Sequence, residues 1–353
     1  MKAMNGKKVI KGICFVLVFV VLFYFAQRLL QVKWVALDEE ENPATTSAWI
    51  EYRDLDKNSI DVLFLGTSHS YSAIDPMYIY EKTGITSYVF GGPGLRMDLT
   101  YMSLAEALKT QNPSVVFLDM SALQYDSQLE EAKCHKVLDQ LSMSKLKLEY
   151  AFNNGSEDMK PLDAIFPFFR YHTRWTEIGE DDYKYMINDL NETYVRGHFV
   201  NYEIVPTELH FYDNVEYHLM DRNLEYITKI KELCDEKNIE LIFYKIPTPQ
   251  WYESWSKGAE ELGEKFDVPY LELFYKLDEM GVDPNKDFRD LNEHMNQYGA
   301  EKVSNYLAEY IEENYHFTDQ RSENKKWNED LAKYKELLKK KEIEQTQIQA
   351  EVQ

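Results

Sequence analysis

The chain is poor in cysteine: among 353 residues only Cys14, Cys134 and Cys234 occur. Cys14 lies in an apolar run, and the other two lack zinc-ligand spacing, so all three read as free thiols. Positive charge is also scarce. The 39 Lys and Arg residues against 61 Asp and Glu leave a net charge of −22. Phosphate backbones would be repelled, which excludes nonspecific nucleic-acid binding. The same charge opposes docking along an anionic bilayer, except through the basic N-terminus. The eight histidines show no HExxH or other paired carboxylate–histidine spacing, so no metal is implied. Gly91-Gly92-Pro93-Gly94 lacks the Lys-Ser/Thr of a phosphate-binding loop, and no cofactor is implied. No internal repeat is present.

Apolar residues, by contrast, are plentiful. Hydrophobic residues make up 44% and aromatics 14%, enough for a sizeable core. The length suits one large α/β domain with an insertion. Near the N-terminus, Lys2, Lys7, Lys8 and Lys11 precede an uncharged apolar run. Val9 to Leu30 can cross roughly 30 Å of hydrocarbon as one helix, with Lys11 and Arg28 snorkelling at its ends. The lysines placed first predict a cytoplasmic N-terminus. The stretch FAQRLLQVKW offers no small-x-small cleavage site, so the run reads as an uncleaved anchor. Residues 1–34 are then tail and anchor, and everything after about Trp34 lies outside the cell membrane. Residues 35–57, acidic and rich in Ala, Thr and Ser, read as a stalk.

A strand–helix rhythm begins at residue 58. Asp61–Gly66, Thr86–Gly91 and Pro113–Asp119 read as buried strands, separated by helices near Pro76–Lys82 and Met97–Thr110. Residues 122–216 break the rhythm. They read as a helical insertion over the carboxyl ends of the strands, a lid. The rhythm resumes with a helix at Leu219–Lys237 and strands at Asn238–Pro247 and Val268–Phe274. A closing helix follows at Gln297–Asn314. Alternation of this kind predicts a doubly wound, mostly parallel sheet across 58–316. Residues 317–353 turn highly charged and read as a solvated helical tail or short coiled coil.

The first strand ends abruptly at Gly66-Thr67-Ser68-His69. Gly66 allows a sharp turn and a close approach. Ser68 then sits at the carboxyl edge, where open α/β sheets bind ligands. There it can attack a carbonyl while its own N–H helps hold the oxyanion. A turn with a serine helix cap fits the same residues. Far downstream, His294 lies in the loop between the last strand and the closing helix. Two such loops can face one crevice, so His294 can take the Ser68 proton. An acid is needed to fix its tautomer. Asp290 is near enough in sequence, with Asp287 as the reserve. A histidine that merely caps or packs the closing helix is the plainer alternative. His172 and Trp175, in the aromatic stretch 166–175, read equally well as packing residues or as substrate contacts.

Gly66-Thr67-Ser68 near the start, with Asp290…His294-Met-Asn-Gln-Tyr-Gly299 near the end, resembles the SGNH/GDSL hydrolase superfamily. More narrowly, Asn58 to Ser70 with Ile74-Asp75-Pro76, and Tyr171 to Trp175, are similar to its membrane-anchored Gram-positive branch. That branch includes the D-alanyl transfer protein of lipoteichoic acid and polysaccharide O-acetylation proteins. The resemblance spans roughly Asn58 to Ile311. It implies Ser68 as nucleophile, His294 as base and Asp290 as orienting acid, with an oxyanion hole from Ser68 N–H and Gly92 or Gly94. The family's acid stands three residues before its histidine, where this chain has Leu291. Phe90 also stands where related sequences often carry an asparagine donor.

Two functions follow as expectations. One is an extracellular, membrane-anchored acyl-ester enzyme, an esterase or acyltransferase acting on acyl groups of a cell-envelope polysaccharide or teichoic acid. The other is a non-catalytic accessory protein that holds polymer beside a membrane-bound O-acyltransferase. A membrane-bound O-acyltransferase, with cell-wall or extracellular polysaccharide or teichoic acid, is the expected partner.

Overall fold

The computed structural model describes residues 6–33, 45–124, 131–153, 159–187, 193–291 and 294–352. Seven strands are present among them: β1 (Val62–Thr67), β2 (Ser87–Gly92), β3 (Val115–Asp119), β4 (His210–Tyr212), β5 (Glu240–Lys245), β6 (Gln250–Tyr252) and β7 (Tyr270–Glu272). Five form one sheet in the order β2-β1-β3-β5-β7, with every neighbour parallel. This is the doubly wound arrangement expected from the alternating pattern. The order reverses at β1, so a crevice opens beside β1 and β3 at their carboxyl ends. β4 and β6 pair separately.

The helices before the insertion are α1 (Gly6–Leu30), α2 (Thr45–Asp54), α3 (Ser68–Ala73), α4 (Pro76–Thr83) and α5 (Met97–Ala107). The insertion supplies α6 (Glu131–Leu138), α7 (Lys145–Asn153), α8 (Pro161–Ile165), α9 (Pro167–Tyr171) and α10 (Glu180–Met186). The chain closes with α11 (Asp221–Lys237), α12 (Glu253–Phe266), α13 (Leu277–Met280), α14 (Gln297–Asn314) and α15 (Lys325–Val352).

Side chains alternate across the central strands, because a strand turns successive residues to opposite faces. Leu63, Leu65, Val116, Leu118, Leu241 and Phe243 enter the core shared with α5 and α11. Val62, Phe64, Val115, Phe117, Ile242 and Tyr244 enter the core shared with α14. With both faces covered, the strands read as unbroken apolar runs.

Residues 35–44 of the expected stalk lie outside the described residues. The remainder is not a connector. α2 packs on the sheet, with Trp49 stacked on Phe90 at 4.3 Å and Tyr52 edge-on to it at 4.7 Å. Phe90 therefore serves as the seat for α2. The charged tail is not wholly solvated either. Trp327 and Tyr334 of α15 are buried. Trp327 meets Tyr80 of α4 at 4.9 Å, and the Tyr334 hydroxyl donates to Asp75 at 2.6 Å. Leu331 and Leu338 extend the same face. All three cysteines are free, as expected.

α1 is long and apolar enough to cross a membrane. Its 25 residues span about 37 Å. Its C-terminal end is gripped by the insertion. Arg28 donates to the Met186 carbonyl, Arg174 donates to the Leu30 carbonyl at 2.6 Å, and Phe23 packs among Phe166, Phe168 and Phe169.

Gly66 is fixed by packing. A Cβ there would lie 1.9 Å from Ser70 Oγ and 2.6 Å from Asp119 Cβ. Gly66→Ala is expected to destabilise the protein by about 1–3 kcal/mol through overpacking. Urea unfolding of the two proteins measures this, and equal midpoints would refute it.

Candidate active site

Ser68 opens α3 at the carboxyl end of β1 and is 5% exposed. Thr67 caps that helix, its hydroxyl oxygen accepting from His69 N–H at 3.3 Å. Beneath the turn lies Asp119, fully buried at the end of β3. Its Oδ2 accepts from Thr67 Oγ1 at 3.2 Å and from Ser70 Oγ at 2.8 Å. Its Oδ1 accepts from Ser121 N–H at 2.8 Å. Tyr244 of β5 donates to Ser70 Oγ at 2.9 Å, so three neighbouring strands pin the turn. Burial pushes the Asp119 carboxyl above the usual carboxylate range. In the sequence Asp119 was simply a strand's last residue; here it is the post under the serine turn.

The histidine loop is a tight hairpin. Phe288 and Met295 form an antiparallel bridge, and Arg289 N–H donates to the His294 carbonyl at 3.0 Å. This folds Asp290 back on His294. Asp290 Oδ1 accepts from His294 N–H at 3.0 Å, and Oδ2 accepts from Nδ1 at 2.7 Å. The hairpin register thus brings an acid four positions upstream into contact, whereas Leu291 is exposed. Asp287 is engaged elsewhere. Its Oδ2 accepts from Lys302 Nζ and from Asp283 N–H, both at 2.6 Å. The reserve acid therefore lies outside the pairing with His294.

The two distant loops meet. The rings of His69, next to Ser68, and His294 stand 5.4 Å apart. Arg289 donates to Ser72 Oγ of α3 at 3.3 Å. Further ties hold α3 against the start of α14. His198 bonds through Nδ1 to the Tyr71 carbonyl and through Nε2 to Gln297 Oε1, each at 2.9 Å. Gln297 Nε2 then donates to Asp75 at 2.9 Å.

Beside Ser68, the β1–β2 register sets Gly92 opposite Thr67. Gly91 lies close enough that a Cβ would sit 2.5 Å from the Thr67 carbonyl oxygen. Gly94 follows in a left-handed turn at φ 58°. Of the two expected glycines, Gly92 stands in register with the turn and Gly94 beyond the strand's end.

His172 and Trp175 lie elsewhere, in the short 3-10 turn His172–Thr176 that packs against α1. His172 bonds to the Phe169 carbonyl at 2.8 Å, and Trp175 is 70% exposed. No contact among the described residues joins either to Ser68 or His294. The insertion's helices pack on α1, α2 and α5, and it is the segment around Arg196–Phe199 that reaches α3. Of the expected lid over 122–216, it is residues 198–207 that reach α3 and the histidine loop among the described residues.

Three site residues escaped the sequence reading. His69 is buried, and neither ring nitrogen has a hydrogen-bond partner among the described residues. Burial, with His294 beside it, pushes its imidazole down to about 3, so it is neutral at pH 7. Lys245 ends β5 at 2% exposure, and Arg289 flanks the hairpin. Lys245 did carry a signal, as a lone lysine within the apolar run Leu241–Pro247.

The sequence matches no protein-family model and no curated protein. Solved structures give distant likenesses. One, assigned as an acylhydrolase from Bacteroides fragilis, is 11% identical, covering 78% of this chain and 99% of that one, at a TM-score of 0.38. A GDSL-like lipase from Bacteroides thetaiotaomicron is 10% identical, covering 75% and 98%, at 0.36. A lipase/acylhydrolase from Enterococcus faecalis is 14% identical, covering 72% and 96%, at 0.28. Likeness at this level assigns no activity to this chain.

Proposed function

We propose that the chain is a membrane-anchored serine acyl-ester enzyme of the SGNH/GDSL type. The observation that carries this reading is the meeting of the Ser68 turn with a histidine whose Nδ1 is held by Asp290. In the proposed reaction Ser68 Oγ attacks the acyl carbonyl as His294 Nε2 takes its proton. Asp290 holds the tautomer that leaves Nε2 open to that proton. Ser68 N–H and the Gly92 strand end receive the developing oxyanion. His294 then returns the proton to the leaving oxygen. A polymer hydroxyl, or water, next attacks the acyl-serine with His294 as base and releases the acyl product. The acyl groups are those of a cell-envelope polysaccharide or teichoic acid, supplied by a membrane-bound O-acyltransferase.

The same reading places α1 in the cell membrane, with the N-terminus cytoplasmic and the α/β domain outside. The grip of the insertion on Arg28 and Leu30 favours a domain held at the bilayer surface over one on a long tether.

A fluorophosphonate tests the chemistry directly. The full-length protein in detergent micelles is expected to be labelled, and Ser68→Ala to lose the label entirely. Labelling that survives the substitution rejects Ser68. A wild-type protein that takes no label leaves the accessory, polymer-holding role instead.

A further inference from the structure

Lys245 is a buried residue whose ammonium meets an aromatic ring but no described carboxylate at contact distance. Its Nζ stands 3.5 Å from the Trp251 ring centroid, and no hydrogen bond or ion pair joins it to any described residue. The two carboxylates that attract it, Glu272 and Asp119, already accept hydrogen bonds elsewhere. Glu272, opposite Lys245 in the β5–β7 register, accepts from Ser256 and Tyr270 on Oε2 and from Phe274 N–H on Oε1. Asp119 accepts from Thr67, Ser70 and Ser121. Burial raises both carboxyls toward their neutral forms and lowers Lys245 to about 8. An ammonium held on a buried residue without a hydrogen-bonded carboxylate is costly even with a ring face beside it, and a bound anion would relieve that cost.

The surroundings suit such an anion. Trp251 is fully buried, stacked on Phe274 at 4.4 Å, and its indole N–H has no acceptor among the described residues. Arg289 sits over Phe199 and makes no ion pair with a described residue; its Nε is likewise without an acceptor. His69 offers a neutral imidazole with both nitrogens open. The His69 ring stands 5.4 Å from that of His294, Arg289 reaches Ser72 of α3 at 3.3 Å, and Lys245 follows Tyr244, whose hydroxyl meets Ser70 at 2.9 Å, so these groups gather at the sheet edge that carries Ser68. Unsatisfied donors gathered there are conspicuous in a chain of net charge −22.

We infer that Lys245, backed by Trp251 and joined by His69 and Arg289, forms a subsite for an anionic oxygen group that the substrate carries near its ester. This inference rests on reading the crevice as the acyl-ester site. The group is a phosphate or a carboxylate. The subsite would favour anionic over neutral substrates.

Isothermal titration of the full-length protein in detergent tests it, with sulfate standing for phosphate and acetate for carboxylate, at constant ionic strength. The expected result is one site for at least one of the two anions. Lys245→Met should weaken it at least tenfold, and Arg289→Gln by a smaller factor. Preference for sulfate identifies a phosphate-bearing substrate, and preference for acetate a carboxylate-bearing one. Absence of binding by either anion overturns the inference. So does binding that Lys245→Met leaves unchanged. Should Lys245→Met fail to fold by circular dichroism, Arg289→Gln decides, and unaltered binding in that variant overturns the inference. Fluorophosphonate labelling of the same samples separates the two readings. Anion binding without Ser68 labelling sinks the acyl chemistry and leaves the subsite standing.

Discussion

Asp290→Asn is expected to lower ester turnover by about a hundredfold or more. The roughly ten-thousand-fold loss of the fully buried triad aspartate of serine proteases is the upper bound, since Asp290 itself is partly exposed. The carboxylate makes two contacts, to His294 N–H at 3.0 Å and to Nδ1 at 2.7 Å. An asparagine can keep its carbonyl on the backbone N–H, but its amide then faces Nδ1 as a donor. The imidazole would answer by moving its proton to Nε2, the atom that receives the Ser68 proton in the proposed reaction. The loop would keep its shape while the base lost its function. Asp287→Asn makes the matching control. That carboxylate pairs with Lys302 and caps Asp283 N–H, so its loss should lower the melting temperature and spare turnover per folded molecule. Hydrolysis of a chromogenic ester by the two variants compares them. A fast Asp290→Asn enzyme, or equal losses in both variants, removes Asp290 from the proposed mechanism.

The choice between these two acids shows where sequence reasoning reached its end. Spacing alone made Asp290 plausible and Asp287 a reserve. Two local contacts settle which one meets the histidine: the Phe288–Met295 bridge and the Arg289–His294 backbone bond. The central strands were legible because both faces are covered, which makes each strand an apolar run bounded by turn residues. β4 and β6, of three residues each, were too short to leave a period. α2 was hidden by its composition. Thr, Ser, Glu and Arg surround Trp49 and Tyr52, yet those two aromatics at i and i+3 were a readable stripe. α15 was read as a helix, but its docking face was hidden the same way. Its buried or half-buried Trp327, Leu331, Tyr334 and Leu338 follow helical spacing under a covering of lysine and glutamate. His172 and Trp175 were the converse case. An aromatic cluster invites a ligand reading, but here it packs at the end of α1.

Stalk, insertion and tail were read as separate appendages, and Arg196 is the residue that makes them one body. Its guanidinium donates to Glu51 of α2 at 2.5 Å and to Asp330 of α15 at 2.6 Å, over the Trp327 ring at 4.3 Å. Its carbonyl accepts from Val89 N–H on β2 at 3.1 Å. The following Gly197, at φ 83°, lies where a Cβ would sit 2.0 Å from the Val89 carbonyl oxygen. Arg196 itself adopts φ 53°, a conformation its surroundings hold against the usual steric cost. Arg196→Met strands the buried Glu51 carboxylate on α2 and leaves Asp330 on α15 with only Lys333, at 3.8 Å, as a described ion partner. Breaking a buried ion pair from one side costs about 3–5 kcal/mol, and α2 and α15 should loosen together. The expected readout is a lower melting temperature with faster proteolysis within both 45–54 and 325–352. Adding Glu51→Gln and Asp330→Asn to Arg196→Met should recover part of the loss, since no charge then remains buried alone. A wild-type melting temperature for Arg196→Met, or cleavage confined to one of the two helices, would show that the segments are held independently.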